Sequence, residues 1–455
     1  MKRTYRTVAA LGLATIAACN SLDVTDPNNP GLESLSGSPT RSSVVTATTG
    51  ILIGARIGIA GLHTQLGIFG RENYLLSSDD PRVVTELLIG PLQNGGFGGG
   101  HFAARYANIR NEHIVLDAVD KVAALTAAEK AGIKGFARTM QALDLLQVIE
   151  TRDAFGAPID VNVDPSGTPA PIASRNDVYA RVVTLLTTAQ TDLQAAGGSF
   201  AFPLSPGFAG FGTPAAFLKF NRALRARVAV ETNDFAGALT ALSGSFLDTA
   251  APLTLGAYHS FGTGSGDTPN GGFDPTGRTL RGHPSFLADA RRRADGSLDL
   301  RAQAKQGQAE RPLTVQGITS DKLVTIYKTA SDGIPIIRNE ELILLRAEAN
   351  VGLLGLGTTN AALRDINLIR RLSGGLPDYA GNAVYVELLD EVLYNKRYSL
   401  YFEGRRWLDL RRYGRLGQLP HDLPTHRVFT QWPFPLNECL ARGLTDGACG
   451  SVSGT

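Results

Sequence analysis

The densest run of chemically capable side chains lies between residues 388 and 414. Leu388-Leu389-Asp390-Glu391 opens it and leads to Lys396-Arg397. Phe402-Glu403-Gly404-Arg405-Arg406-Trp407-Leu408-Asp409-Leu410-Arg411-Arg412-Tyr413-Gly414 closes it. Carboxylates beside arginines can do acid–base work, but the same mixture also builds scaffolds. A guanidinium forks onto a carboxylate and stacks on Trp or Tyr, which fixes two helices at an angle. Glu403, Arg405, Arg406, Trp407, Asp409 and Arg411 are read as such a structural clamp, with Phe402 and Trp407 in the core. Of the adjacent acidic pairs, Glu340/Glu341 fit the first turn of a helix, where negative charge suits the dipole. Asp390/Glu391 fit a solvated helix. Asp79/Asp80 fall in a long loop, where a hydrolase role is the competing reading. No Gly-x-Ser-x-Gly, Ser-x-x-Lys, Walker loop or His-Glu-x-x-His occurs. The seven histidines are scattered, and His421 and His426, five apart in a Pro-rich stretch, are poorly spaced as ligands. The reading is a protein with no catalytic residues, no metal and no cofactor.

The elements that position these residues follow from pattern and composition. The chain has 455 residues, 43% hydrophobic and 19% charged, with 51 glycines and three cysteines. Charge this balanced excludes a nucleic-acid binder driven by counterion release, and the apolar content excludes disorder. Lys2, Arg3 and Arg6 precede an apolar stretch, 8–18, that is too short to span a membrane. It ends Ile16-Ala17-Ala18-Cys19, small residues directly before a Cys, which is the pattern of a lipoprotein signal. Residues 1–18 are the expected signal peptide and Cys19 the lipidation site, with an ordinary cleaved signal or a short transmembrane anchor as the alternatives. Residues 19–37 form a polar tether, and 38–455 form one domain. Removing three basic residues takes the formal charge from +2 to −1. Cys439 and Cys449 then remain, ten apart. A disulfide closing that small loop is one reading, and two unrelated thiols is the other.

Helical periodicity dominates the rest. Apolar spacing predicts helices at 104–122, from Thr126 to about 150, from Ser174 to 193, from Pro214 to about 232, at 234–242, 338–353, 358–372 and 383–402. Thr126-Ala127-Ala128-Glu129 reads as a capping box. Small residues recur where helices would touch, at Ala223, Ala229, Ala347 and Ala349, as in tetratricopeptide-like packing. Strand signal is weak, with short candidates at 323–327 and 428–432. Much of the glycine lies in loops 66–103, 198–212 and 251–285, and loops of that length tend to be functional. The fold class expected is mainly α: tetratricopeptide-like helix pairs, with long irregular loop insertions forming the ligand side.

The C-terminal third resembles the SusD/RagB family of outer-membrane nutrient-binding lipoproteins. Residues 388–397 and 402–412 are similar to the family's Leu-Leu-Asp-Glu run and its Phe-Glu-Gly-x-Arg-Trp-x-Asp-Leu-Arg-Arg. Asn367-Leu-Ile-Arg370-Arg371 with Gly375-Leu376-Pro377, the helix from Arg338 to Ala349, and Trp432-Pro-Phe-Pro435-Leu-Asn437-Glu438 resemble further family segments. Fainter likenesses lie at 134–138 and at Phe155-Gly156-Ala157-Pro158. The resemblance implies a lipid-anchored protein on the exterior face of the outer membrane. It would capture oligosaccharides and deliver them to a SusC-like TonB-dependent receptor, with peptide or another polymer as alternative cargo, and would do no chemistry. The motifs are scaffold, so ligand contacts are read from side-chain chemistry. An aromatic face covers the C–H side of a sugar while Arg, Asn and Asp fix its hydroxyls. The candidates are Arg71, Asn73, Tyr74, Asp79, Asp80, Arg82, Phe97 and His101 in loop 66–103, and Tyr258 and Phe261 in loop 251–285.

Overall fold

A computed structural model describes residues 35–161 and 167–455. The expected signal peptide 1–18, the lipidation site Cys19 and the tether as far as residue 34 lie outside the described residues.

Polar caps start five of the long helices. In α1 (Arg41–Arg56), Thr40 and Ser43 cap each other reciprocally. A turn at Gly58, with φ at 73°, separates it from α2 (Ile59–Phe69). By composition alone, 41–69 is long and apolar enough to cross a membrane. The break at Gly58 splits it into two helices that bury Ile51, Leu52, Leu62 and Leu66 in the protein's own core. Helix α3 is Ala103–Val119. Helix α4 (Ala127–Arg152) begins at the Thr126/Glu129 capping box. Ser174 caps α5 (Arg175–Ala195), and Thr213 with Pro214 starts α6 (Pro214–Glu231). Asp234 caps α7 (Phe235–Ser243). Later come α8 (Asn339–Gly352), α9 (Leu356–Ile369), α10 (Tyr385–Ser399), α11 (Arg406–Arg412) and α12 (Leu436–Arg442).

Successive helices pack side by side, α3 on α4, α4 on α5, α5 on α6, α6 on α7, α7 on α8 and α8 on α9. Ala223, Ala229, Ala347 and Ala349 are fully buried at these contacts. Gly135 shows why small residues are needed there: a Cβ on it would sit 2.6 Å from Cγ of Leu193. Within the aliphatic core of this half sits a cluster of phenylalanines. Phe136, Phe200, Phe202, Phe208, Phe217 and Phe220 pack ring to ring with centroids 4.8 to 6.4 Å apart.

The other half surrounds a four-stranded antiparallel sheet of order β1-β5-β7-β6, from β1 (Asn73–Leu75), β5 (Leu280–Gly282), β6 (Gln306–Val315) and β7 (Ile318–Val324). Tyr74 pairs with Arg281, and Arg281 with Leu323. The β6–β7 hairpin turns on Gln316-Gly317, both with positive φ, the geometry that matches strand twist in a two-residue turn. Two small pairs complete the strands: β2 (Ala157–Pro158) with β3 (Ile172–Ala173), and β4 (Gly256–His259) with β8 (Ile334–Arg338). Trp407, Trp432, Phe69 and Phe286 are buried in this second core.

Three expectations need correction. Strand β7 runs Ile318–Val324, so the 323–327 candidate catches only its end. Residues 428–432 form no strand. Their backbone bonds go to scattered partners, Val428 N to Thr455 O and Trp432 N to Thr151 O. Loops 66–103 and 251–285 are partly ordered, holding β1 and a π-helical turn (Thr85–Ile89) in the first, and β4 and β5 in the second.

Cys439 and Cys449 form a disulfide that closes the α12 segment. Constraining the unfolded chain over so short a loop is worth about 2–3 kcal/mol. Reductant is therefore expected to lower the unfolding midpoint. A midpoint unchanged while two free thiols titrate would contradict that contribution.

Candidate functional site

The Arg- and Glu-rich segment meets the long helices in a lattice of ion pairs. Arg405 donates to Glu150 of α4 at 2.7 Å and to Glu231 of α6 at 3.1 Å. Lys396 of α10 binds Glu348 of α8 at 3.0 Å and Asp409 of α11 at 2.7 Å, and Arg412 joins the same two carboxylates. Arg338 pairs with Glu403 at 2.7 Å and with Glu340. Arg411 donates to the carbonyls of Glu150 and Thr430, and its guanidinium lies 4.5 Å from the centre of the Trp407 ring. The indole Nε1 of Trp407 donates to Phe429 O at 2.8 Å. These side chains are spent on one another, which is what a clamp requires.

A cavity of about 250 Å³ opens beside this lattice, lined among others by Glu150, Arg175, Tyr179, Glu231 and Arg405. Burial, and then the neighbouring Glu150, push Glu231 up to about 8. Glu150 is held below the usual carboxylate range by Arg405, against the effect of burial. One proton is thus retained between two carboxyls that share a single guanidinium.

The sequence-derived ligand residues divide into two groups. Arg71, Asn73 and Tyr74 are 0%, 0% and 2% exposed, so burial removes them from any ligand. Arg71 donates to three carbonyls, Ile68 O, Pro420 O and Arg427 O, and ties loop 66–103 to the C-terminal segment. Asn73 Nδ2 donates to Thr64 O, and Tyr74 packs its ring 4.8 Å from that of His283. His101 rests against Trp432, with ring centroids 5.6 Å apart, and burial with nearby Arg152 pushes its imidazole down to about 3. Its imidazole is neutral and half-buried, with the ring committed to Trp432. Arg71, Asn73 and Tyr74 are corrections to the sequence reading.

Asp80, Arg82 and Phe97 come together at the surface. Arg82 forks onto Asp80, Nε to Oδ1 and Nη2 to Oδ2, both at 2.8 Å, and its guanidinium lies 5.4 Å from the Phe97 ring centre. Arg82 holds the Asp80 carboxyl below its ordinary value. Asp79 stands next to them, exposed. Arg82 is thus shared between Asp80 and the Phe97 ring, and the groups of this loop face left for a sugar are the ring, the remaining Arg82 N–H donors and the exposed Asp79 carboxylate. Tyr258 and Phe261 sit elsewhere. Tyr258 donates its hydroxyl to Thr254 O and lines a small pocket with Arg56 and Phe208, while Phe261 lies half-buried at the edge of the second core.

A second surface feature was not anticipated. A groove of about 530 Å³ runs between α10, α11 and the segment 285–291. Four arginines line it: Arg291, Arg397, Arg406 and Arg415. The signal available in sequence was the Arg291-Arg292-Arg293 run together with arginines recurring at 397, 406 and 415.

The SusD family profile matches residues 302–440, a span that contains the 388–397 and 402–412 motifs, so the SusD/RagB resemblance holds. Solved structures share the fold over most of the chain. A SusD superfamily protein from Bacteroides vulgatus ATCC 8482 is 16% identical with a TM-score of 0.68, covering 91% of this chain and 100% of its own. A surface glycan-binding protein A from Bacteroides uniformis is 16% identical with a TM-score of 0.64, covering 90% and 98%. A SusD-like carbohydrate binding protein from Bacteroides fragilis NCTC 9343 is 14% identical with a TM-score of 0.64, covering 83% and 87%. No curated protein sequence matches the chain.

Proposed function

We propose that this chain, which carries the SusD fold and a SusD-family segment at 302–440, is a surface-exposed binding lipoprotein of the outer membrane. It captures an oligosaccharide and hands it to a SusC-like TonB-dependent transporter. The observation that carries the reading is the family match together with a surface cluster of sugar-binding chemistry, Asp80, Arg82 and Phe97. Two proteins of the same fold are described as binding glycan or carbohydrate, which supports the same class of cargo. The protein binds and releases without turnover. Asp79 is an exposed group for a sugar hydroxyl in this reading, and Asp80 is committed to Arg82. Tyr258 and Phe261 serve at most as an outlying subsite.

Phe97→Ala and Arg82→Ala are expected to weaken oligosaccharide binding at least tenfold in affinity electrophoresis, with the unfolding midpoint unchanged. Full affinity in both variants would place the glycan elsewhere. Cys19→Ser is expected to release the protein from membranes into the soluble fraction, and continued membrane association would contradict the lipid anchor. One observation favours the second reading, peptide or another polymer as cargo. Among the described Phe, Tyr and Trp side chains, Tyr385 alone is exposed, and the rest are half-buried or buried. A binder of neutral sugars usually offers a broader aromatic platform.

A further inference from the structure

The groove between α10 and α11 carries more positive charge than its neighbours cancel. Three of its arginines are paired: Arg291 with Glu391, Arg415 with Asp390, and Arg397 with Asp289 at 2.8 Å. The Arg397 fork also donates to Ser285 Oγ, and its buried Nε has no hydrogen-bond partner among the described residues. Asp409, which also lines the groove, is engaged by Lys396 and Arg412. Arg406 has no ion pair among the described residues. Its one hydrogen bond goes from Nη1 to the carbonyl of Arg71, at 3.0 Å. Two carboxyls act on its charge from a distance: Asp289, already paired with Arg397, and Glu72, which accepts from the Phe402 N–H and which burial pushes up to about 7. Glu72 therefore carries only part of a charge at neutral pH. Arg406 itself is pushed down to about 9, by burial first and by Arg397 second. Two guanidiniums thus face one groove and leave donors over, and arginine forks bind planar or tetrahedral oxyanions with paired hydrogen bonds.

We propose that this groove is a second binding site, one that takes a carboxylate or sulfate group carried by an acidic oligosaccharide. Arg406 and Arg397 hold the anion, and Arg415 and Arg291 set the potential at the rim. Tyr394 holds Arg291 in place: its ring packs on Tyr398 and lies 4.0 Å from the Arg291 guanidinium, and its hydroxyl accepts from the Arg291 N–H and donates to Asp299. The sugar backbone of this ligand rests on the function proposed above, whereas the charge requirement rests on the groove alone.

The test is titration calorimetry of the full mature chain against tetragalacturonate, inorganic sulfate and a neutral tetrasaccharide at fixed ionic strength. Saturable binding of either anion is expected. Arg397→Gln and Arg415→Gln should each weaken it about tenfold while leaving neutral-sugar binding alone. Arg406→Gln should do the same. Because Arg406 also holds the Arg71 carbonyl, that variant is read only alongside the other two, with melting curves matched. An anion response to galacturonate but not to sulfate marks a carboxylate site, and competition by sulfate marks a site for either anion. Absence of anion binding in the wild-type chain, or binding unchanged in both Arg397→Gln and Arg415→Gln, overturns the proposal. Anion binding lost in Phe97→Ala but kept in Arg397→Gln overturns the groove and leaves glycan capture standing. Silence toward every sugar overturns both.

Discussion

Trp407→Ala is expected to cost about 3–5 kcal/mol of folding stability, the range for truncating a large buried aromatic. Trp407 is fully buried. Its ring packs 5.6 Å from that of Phe69, it lies under the Arg411 guanidinium, and its Nε1–H donates to Phe429 O. Truncation leaves a cavity, an unpaired carbonyl and an arginine without its stacking partner. The loss joins the second core to the clamp, so denaturant unfolding should remain cooperative with a lower midpoint. A shift in ligand affinity at unchanged stability would contradict the structural role of this motif.

Arg405→Met is expected to be comparably damaging, about 3–5 kcal/mol, because breaking a buried ion pair from one side leaves charge without compensation. Arg405 is the guanidinium shared by Glu150 and Glu231. Combining Arg405→Met with Glu150→Gln and Glu231→Gln should recover much of the loss, and a single variant as stable as wild type would refute the clamp. The same cluster sets a pH dependence. Glu231 is raised from an ordinary 4.5 to about 8. Its stabilising contribution is therefore complete below about 4.5 and is lost as pH rises toward 8. Glu340 and Glu348 are lowered to about 2, with Arg338 and Arg412 respectively outweighing burial. Their contribution is present above 4.5 and is lost as pH falls from 4.5 to 2. Stability should fall on both flanks, and Glu231→Gln should flatten the alkaline one. An unaltered slope between pH 5 and 8 in that variant would exclude Glu231 as its source.

The local signals of helix ends were legible because they are written within four residues. The Thr126/Glu129 box, Ser174, Thr213-Pro214 and Asp234 all mark real starts. Helices α1 and α2 were not foreseen, because their glycines and threonines weaken the periodic signal. Gly54 has a reason that lies outside its own helix: any Cβ there would collide with the side chain of Asn108 on α3. Strand β6 escaped for a similar reason, since its ladder depends on a hairpin partner and a bulge rather than on an apolar run. The clamp's residue types were visible, but their partners were not. Arg405 reaches Glu150 across 255 positions of sequence. Loop 66–103 misled most. Arg71, Asn73 and Tyr74 have the chemistry of a binding site, yet Arg71 and the Asn73 amide nitrogen donate to backbone carbonyls and the Tyr74 ring fills the core. Sequence cannot tell a polar group that faces solvent from one that is buried and paired. Asp80, Arg82 and Phe97, from the same loop, remain at the surface, while Val83, Val84, Leu87 and Leu88 between them turn into the core.

The central claim is capture of a glycan without chemistry. It is tested most directly by calorimetric titration of the mature chain against a panel of plant, algal and microbial oligosaccharides, with the ligand recovered and sized afterwards. The expected result is saturable binding to one glycan class, abolished or reduced at least tenfold by Phe97→Ala, with the oligosaccharide returned at its original length. Silence across the panel, or a ligand recovered as shorter fragments, would contradict it.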